Sequence, residues 1–276
     1  MAADPPAPDP LAAALATGAL PESRGVHVEL IGPQGIGKTT TLEAIPAEIR
    51  SRWLLRPELD RARHAPDVQA RVLAAQHPSL PVYRDLIGLR TAHLMASALG
   101  SYALARALRK DAEFIMQDIF ARAVPQPRGV LLDEGLAQVF GDQIAALPEA
   151  KARRIMAGRA LVFLMPQAPQ TAVARVRARA AGTGYLADMH GGLDDAALAR
   201  WAVRRQAPLE ALARLATRLA LPVLRLRAED ALADNANALA AFAVGLAAAY
   251  SGPGDGGAGA MQKARGGISD AGLSEG

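Results

Sequence analysis

Residues Gly32-Pro33-Gln34-Gly35-Ile36-Gly37-Lys38-Thr39 spell G-x-x-x-x-G-K-T. Glycines at this spacing let successive backbone N–H groups curl around a chain of phosphates. The ammonium of Lys38 adds fixed positive charge, and the Thr39 hydroxyl can complete the shell of a hard cation such as Mg²⁺. Every residue of the loop, Gly32, Pro33, Gln34, Gly35, Ile36, Gly37, Lys38 and Thr39, together with Thr40 behind it, is a candidate phosphate or cation ligand. The pattern is that of a P-loop, and the ligand it implies is a nucleoside triphosphate.

Such a loop needs a carboxylate at the end of a neighbouring strand to hold Mg²⁺, directly or through water. Gly129-Val130-Leu131-Leu132-Asp133 is a short apolar run ending in one. Asp133 is the candidate metal carboxylate; the alternative is that it caps the helix just beyond. Glu134, next in the chain, is a candidate catalytic group that orients an acceptor hydroxyl or polarises a water, or else a carboxylate that only favours the helix N-terminus. Arg175 and Arg179 are four apart, so a helix projects both from one face, whereas Arg177 points elsewhere. Guanidinium groups closing over phosphates stabilise the charge that moves during phosphoryl transfer; a solvated basic face is the other reading of the pair. Glycines at 182, 184, 191 and 192 make residues 181–192 a candidate lid, with Tyr185, Asp188 and His190 inside it.

The elements that must carry these groups alternate along the chain. Strands are expected at 26–31, 52–56, 129–133, 160–165 and 222–227. Helices are expected at 39–50, 67–77, 82–99, 102–123, 136–147, 171–180, 194–219 and 232–249. Alternation of this kind predicts an α/β fold in three layers, a five-stranded parallel sheet with helices on both faces, and a helical lid. Residues 1–24, rich in proline, and 251–276, rich in Gly, Ser and charge, read as disordered tails around a domain at 25–250. Glu29 falls inside the first strand and is expected to be a paired structural carboxylate. Arg84, Arg90 and His93 in one helix, and Arg56 and Glu58 after the second strand, are candidates for an acceptor site.

Composition narrows the classes. The 276 residues are 51% hydrophobic, enough for one full core, and the absence of cysteine removes disulfides, thiol catalysis and Cys-ligated metals. A net charge of +4 with only 4% aromatic residues, the basic groups interspersed with acidic ones, argues against nucleic acid as the main partner. No basic leader or membrane-length apolar run is expected, which reads as a cytoplasmic protein without a membrane partner.

On V-E-L-I-G-P-Q-G-I-G-K-T-T, a strand ending in Asp133, a helix bearing R-x-x-x-R, a lid and a last strand and helix, the chain resembles P-loop kinases of the nucleoside-monophosphate-kinase group, thymidylate-kinase-like proteins in particular. The resemblance spans residues 26 to 249. It implies ATP as donor, in-line transfer of the γ-phosphoryl group, Mg²⁺ at Asp133 and lid arginines at 175 and 179. The acceptor half departs: those families carry an arginine after the strand-3 acid, where this chain has Glu134, and E-P after strand 2, where it has Arg56-Pro57-Glu58. The expected function is therefore an ATP-dependent small-molecule kinase with its acceptor unassigned among nucleosides, nucleotides, sugars and other polar metabolites. An NTP hydrolase driving a conformational switch is the alternative. The oligomeric state stays open, a homodimer included.

Overall fold

The structure, a computed structural model, describes residues 26–63, 80–97, 100–123, 129–183 and 191–250. Five strands, β1 (His27–Ile31), β2 (Trp53–Leu55), β3 (Gly129–Leu132), β4 (Arg159–Met165) and β5 (Val223–Arg227), form one sheet in the order β2-β3-β1-β4-β5, every neighbouring pair parallel. Parallel strands lie between two helical layers and so read as nearly unbroken apolar runs. Leu30, Val162 and Leu164 show this, each at most 1% exposed.

Ten helices occur among the described residues: α1 (Lys38–Glu43), α2 (Ala47–Arg50), α3 (Arg56–Arg63), α4 (Leu80–Ala96), α5 (Ser101–Ala123), α6 (Leu136–Ala146), α7 (Glu149–Met156), α8 (Pro169–Thr183), α9 (Asp195–Arg218) and α10 (Leu232–Tyr250). Strand residues of alternating parity feed two cores. Val28, Leu30, Val162 and Leu164 pack with α1, α2 and α10 on one face. Ile31, Leu161 and Phe163 pack with α4, α5, α6, α7 and α9 on the other. The fold is thus α/β with helices on both faces of an all-parallel sheet, as expected.

Several boundaries differ from expectation. The helix expected at 39–50 is two helices, because Pro46 has no N–H to donate and stands at φ −47°, ψ 136°, an extended turn from which α2 starts afresh. Helices α3 and α7 went unanticipated, both short and strongly charged. Helix α8 runs on to Thr183, through the first three residues of the expected lid. The expected helix at 67–77, both tails and the lid residues Gly184, Tyr185, Asp188 and His190 lie outside the described residues.

One correction concerns apolar length. Helix α10 has 19 residues and contains an 18-residue stretch at mean hydropathy 1.3, long and apolar enough by composition to cross a membrane. Its apolar content is explained by packing: Leu239, Ala240, Ala243 and Ala247 are at most 2% exposed against the sheet.

Candidate functional site

The chain leaves β1 at the centre of the sheet and turns at the carboxyl ends of the strands, the edge where open α/β sheets bind ligands. Two residues of the turn need the left-handed region: Gly35 at φ 79° and Gly37, the N-cap of α1, at φ 105°. At Gly32 the requirement is space, since a Cβ there would collide with the carbonyl oxygen of Leu164. The Gly32 N–H donates to Gln138 Oε1 at 2.8 Å, which ties the loop to α6. Lys38 folds beneath the loop and donates from Nζ to the carbonyl oxygens of Gly32 (2.9 Å) and Pro33 (3.2 Å). It is only 9% exposed. Burial pulls its ammonium down from the ordinary 10.5 to about 8, against the opposing pull of Glu134 and Asp133.

Pairing of β3 beside β1 brings Asp133 to the same edge. The Thr39 hydroxyl donates to Asp133 Oδ2 at 2.5 Å, joining groups 94 residues apart. Asp133 does not cap the following helix: the N-cap of α6 is Gly135, with no side-chain cap hydrogen bond. Glu134 is partly buried and faces two cations, Arg56 Nη1 at 3.5 Å and Lys110 Nζ at 3.9 Å. Both cations also lie over the Phe114 ring, at 5.0 and 5.6 Å from its centroid. Glu58, in the first turn of α3, turns back onto the end of β2 and accepts the Leu55 N–H at 3.1 Å.

Glu29 is paired, as its position in a core strand demands. Its carboxylate meets Arg159 and accepts the Ala137 N–H at 2.8 Å. A Cβ on Gly135 would come within 2.5 Å of the same carboxylate, so the turn from β3 into α6 lies directly on it. Arg159 also pairs with Asp118, which accepts the Tyr83 hydroxyl. Burial would raise the Asp118 carboxyl, but the Arg159 and Arg122 guanidinium groups outweigh it and hold Asp118 below its usual range. Burial prevails at Glu29 and pushes that carboxyl up.

The α8 arginines divide by role. Arg175 donates from Nη1 to Ile36 O at 3.0 Å and from Nη2 to Ala228 O, so it is fixed against the loop. A Cβ on Gly37 would lie 2.7 Å from its Nη1. Arg177 points away, donating to Leu193 O at 2.7 Å and to Asp195 at 2.8 Å, and thereby fastens α8 to the start of α9. Arg179, one turn beyond Arg175, is exposed and faces the loop's cavity.

That cavity, about 660 Å³, brings together Lys38, Thr39, Asp133, Glu134, Arg175 and Arg179, all of them expected from the sequence. A second cavity of about 350 Å³ lies across Gln34, Lys110 and Glu134, which line both. Arg90, Gln138, Trp201 and Arg205 help to wall it. Of the acceptor candidates in α4, Arg90 alone reaches this cavity, held by Asp111 at 3.0 Å, whereas Arg84 and His93 are exposed and do not line it. Sequence reasoning missed Lys110, Gln138, Trp201 and Arg205. Each sits on a helix with other polar residues, and no local spacing marks the face that tertiary docking turns toward the loop. Among the described residues no group of three or more His, Asp or Glu side chains gathers to hold a metal ion. Compared with protein-family models and with curated proteins, the chain matches none of them.

Proposed function

We propose that the protein is an ATP-dependent small-molecule kinase of the P-loop type, with Gly32–Thr40 as its phosphate-binding loop. The observation that carries this reading is the Thr39–Asp133 hydrogen bond beneath a glycine turn with Lys38 buried in it. The hydroxyl and the carboxylate required by a magnesium-nucleotide site come from the helix after β1 and the turn after β3, and they meet at one point. Glycine turns are common; this convergence is much less so.

The two oxygen donors fit Mg²⁺, which takes few protein ligands and fills its shell with water and phosphate oxygens, so a larger acidic cluster is not required. When bound, Mg²⁺ neutralises charge developing on the transferring group. The chain's own groups do the rest. Backbone N–H groups of the loop and Lys38 bind phosphate, Arg175 holds the loop through Ile36 O, and Arg179 faces the cavity where charge develops. ATP as donor fits the absence of any N-K-x-D guanine-recognition string.

A second reading, NTP hydrolysis with Glu134 polarising water, is favoured by that carboxylate lining the nucleotide cavity itself. Transfer to an acceptor accounts better for the adjoining second cavity. The test is ADP formation from Mg·ATP by purified protein, with and without pooled nucleosides, nucleoside monophosphates and sugars. A kinase responds to one pool; a hydrolase releases ADP and phosphate at one rate whatever is added.

A further inference from the structure

The two cavities that share Glu134 differ in charge. The nucleotide cavity is walled by four cations, Lys38, Lys110, Arg175 and Arg179, against two carboxylates, Asp133 and Glu134. A surplus of this kind suits a polyanion. The second cavity has three cations, Arg90, Lys110 and Arg205, against three carboxylates, Asp111, Glu134 and Asp142. Arg90 is engaged by Asp111 at 3.0 Å and Lys110 faces Glu134, so most of the positive charge is already answered from within.

A dianionic acceptor entering such a site would lose hydration without gaining a net countercharge, which is a large cost in a partly buried place. A neutral hydroxyl compound meets no such penalty. Its hydroxyls find both donors and acceptors on the cavity wall, and Trp201 with Pro208 and Leu209 offers an apolar side for a flat ring. A volume of about 350 Å³ lies at the small end of ligand pockets.

We infer that the second cavity is the acceptor site of the kinase proposed above, on which this inference rests, and that it takes a neutral, ring-bearing polyhydroxyl compound rather than a phosphorylated one. Glu134 stands on the boundary and is the residue that meets the acceptor hydroxyl. In the transfer, the hydroxyl oxygen forms a bond to the γ-phosphorus as the bond from that phosphorus to the β,γ-bridging oxygen breaks. The hydroxyl proton passes to the Glu134 carboxylate, and the nucleoside diphosphate leaves with the bridging oxygen. Arg56 and Lys110 pair with the Glu134 carboxylate and position it at the boundary.

The experiment uses the full chain. Mg·ATP binding is measured first by calorimetry. ADP release is then followed with adenosine, uridine and thymidine, each against its own 5′-monophosphate, so that members of a pair differ only by the dianionic group. The expected result is stimulation by at least one nucleoside, with kcat/KM at least tenfold above that of its monophosphate. Trp201→Phe should keep most of that activity, and Trp201→Ala should raise the nucleoside KM about tenfold while leaving ATP affinity within twofold. Asp142→Asn, which tips the cavity positive, should narrow the preference at least threefold. With ATP bound, a preference for monophosphates, or silence of all three nucleosides, overturns the acceptor assignment and leaves the nucleotide reading intact. Failure to bind Mg·ATP at all overturns the nucleotide reading instead.

Discussion

Arg159 at the start of β4 and Glu29 in the middle of β1 form an ion pair inside the sheet, their side chains 1% and 0% exposed. Glu29 uses its other oxygen to accept the Ala137 N–H in the first turn of α6. One buried carboxylate therefore fixes both the β1–β4 pairing and the place where the chain leaves Asp133 and Glu134. Gln138, the next residue, then holds the Gly32 N–H. The glycine loop and the acidic turn are braced on each other through α6.

Removing that carboxylate should cost more than a surface pair does. Glu29→Ala leaves Asp118 as the one carboxylate facing the Arg159 guanidinium, beside the Ile155 carbonyl, and strips the partner from a buried N–H, so we predict a loss of about 3–5 kcal/mol. Urea denaturation measures it. A loss under about 1 kcal/mol would mean that water or a rearranged Asp118 replaces the carboxylate.

At the mouth of the loop, Thr39 and Asp133 are expected to act as a unit. Asp133→Asn and Thr39→Ala should each lower Mg²⁺-dependent turnover on the order of 10²-fold, and the double variant should lose far less than the product of the two. Titrating Mg²⁺ at fixed ATP checks this through a raised half-saturating concentration. Strictly multiplicative losses would separate the two residues.

Much of this site was legible because its parts are local. The glycine spacing, the apolar run ending in Asp133 and the i, i+4 arginines are all short-range signals, and the structure brings them to one cavity. The carboxylate Glu29 announced that it needed a partner, yet nothing in the sequence named Arg159, since that pairing follows from strand order. Pro46 is visible in the sequence, but it does not by itself divide residues 39–50 into two helices, because a proline that ends one helix can also stand at the N-cap of the next. The second cavity was illegible for a different reason. Its walls come from α4, α5, α6 and α9, and only their docking decides which polar residues face inward.

The Lys38 ammonium gives a pH signature. Its folded value of about 8 lies below the ordinary 10.5, so between those limits the unfolded chain holds a proton that the folded chain has released. Stability then rises with pH across that window, relative to Lys38→Met, which has no such proton. Activity runs the other way. Because kcat/KM reports the free enzyme, it should fall above about pH 8 as the ammonium is lost. A flat kcat/KM from pH 7 to 9.5 would show that phosphate binding does not depend on this charge.

Arg175 and Arg179 separate stability from turnover. Arg175→Ala deprives the carbonyls of Ile36 and Ala228 of their donor and loosens α8 from the loop, so it should cost about 1–3 kcal/mol as well as activity. Arg175→Lys should recover little, because Arg175 reaches Ile36 O and Ala228 O, on separate segments, with two different nitrogens of its planar fork, which one ammonium does not reproduce. Arg179 is exposed, and Arg179→Ala should change stability by less than about 0.5 kcal/mol. Its turnover should nevertheless drop about tenfold or more with ATP affinity nearly unchanged, since a guanidinium facing this cavity matters most when charge moves between oxygens. Thermal melts alongside kcat and ATP affinity for the three variants distinguish the roles; an Arg179→Ala protein with full turnover would assign that arginine to the solvated face of α8.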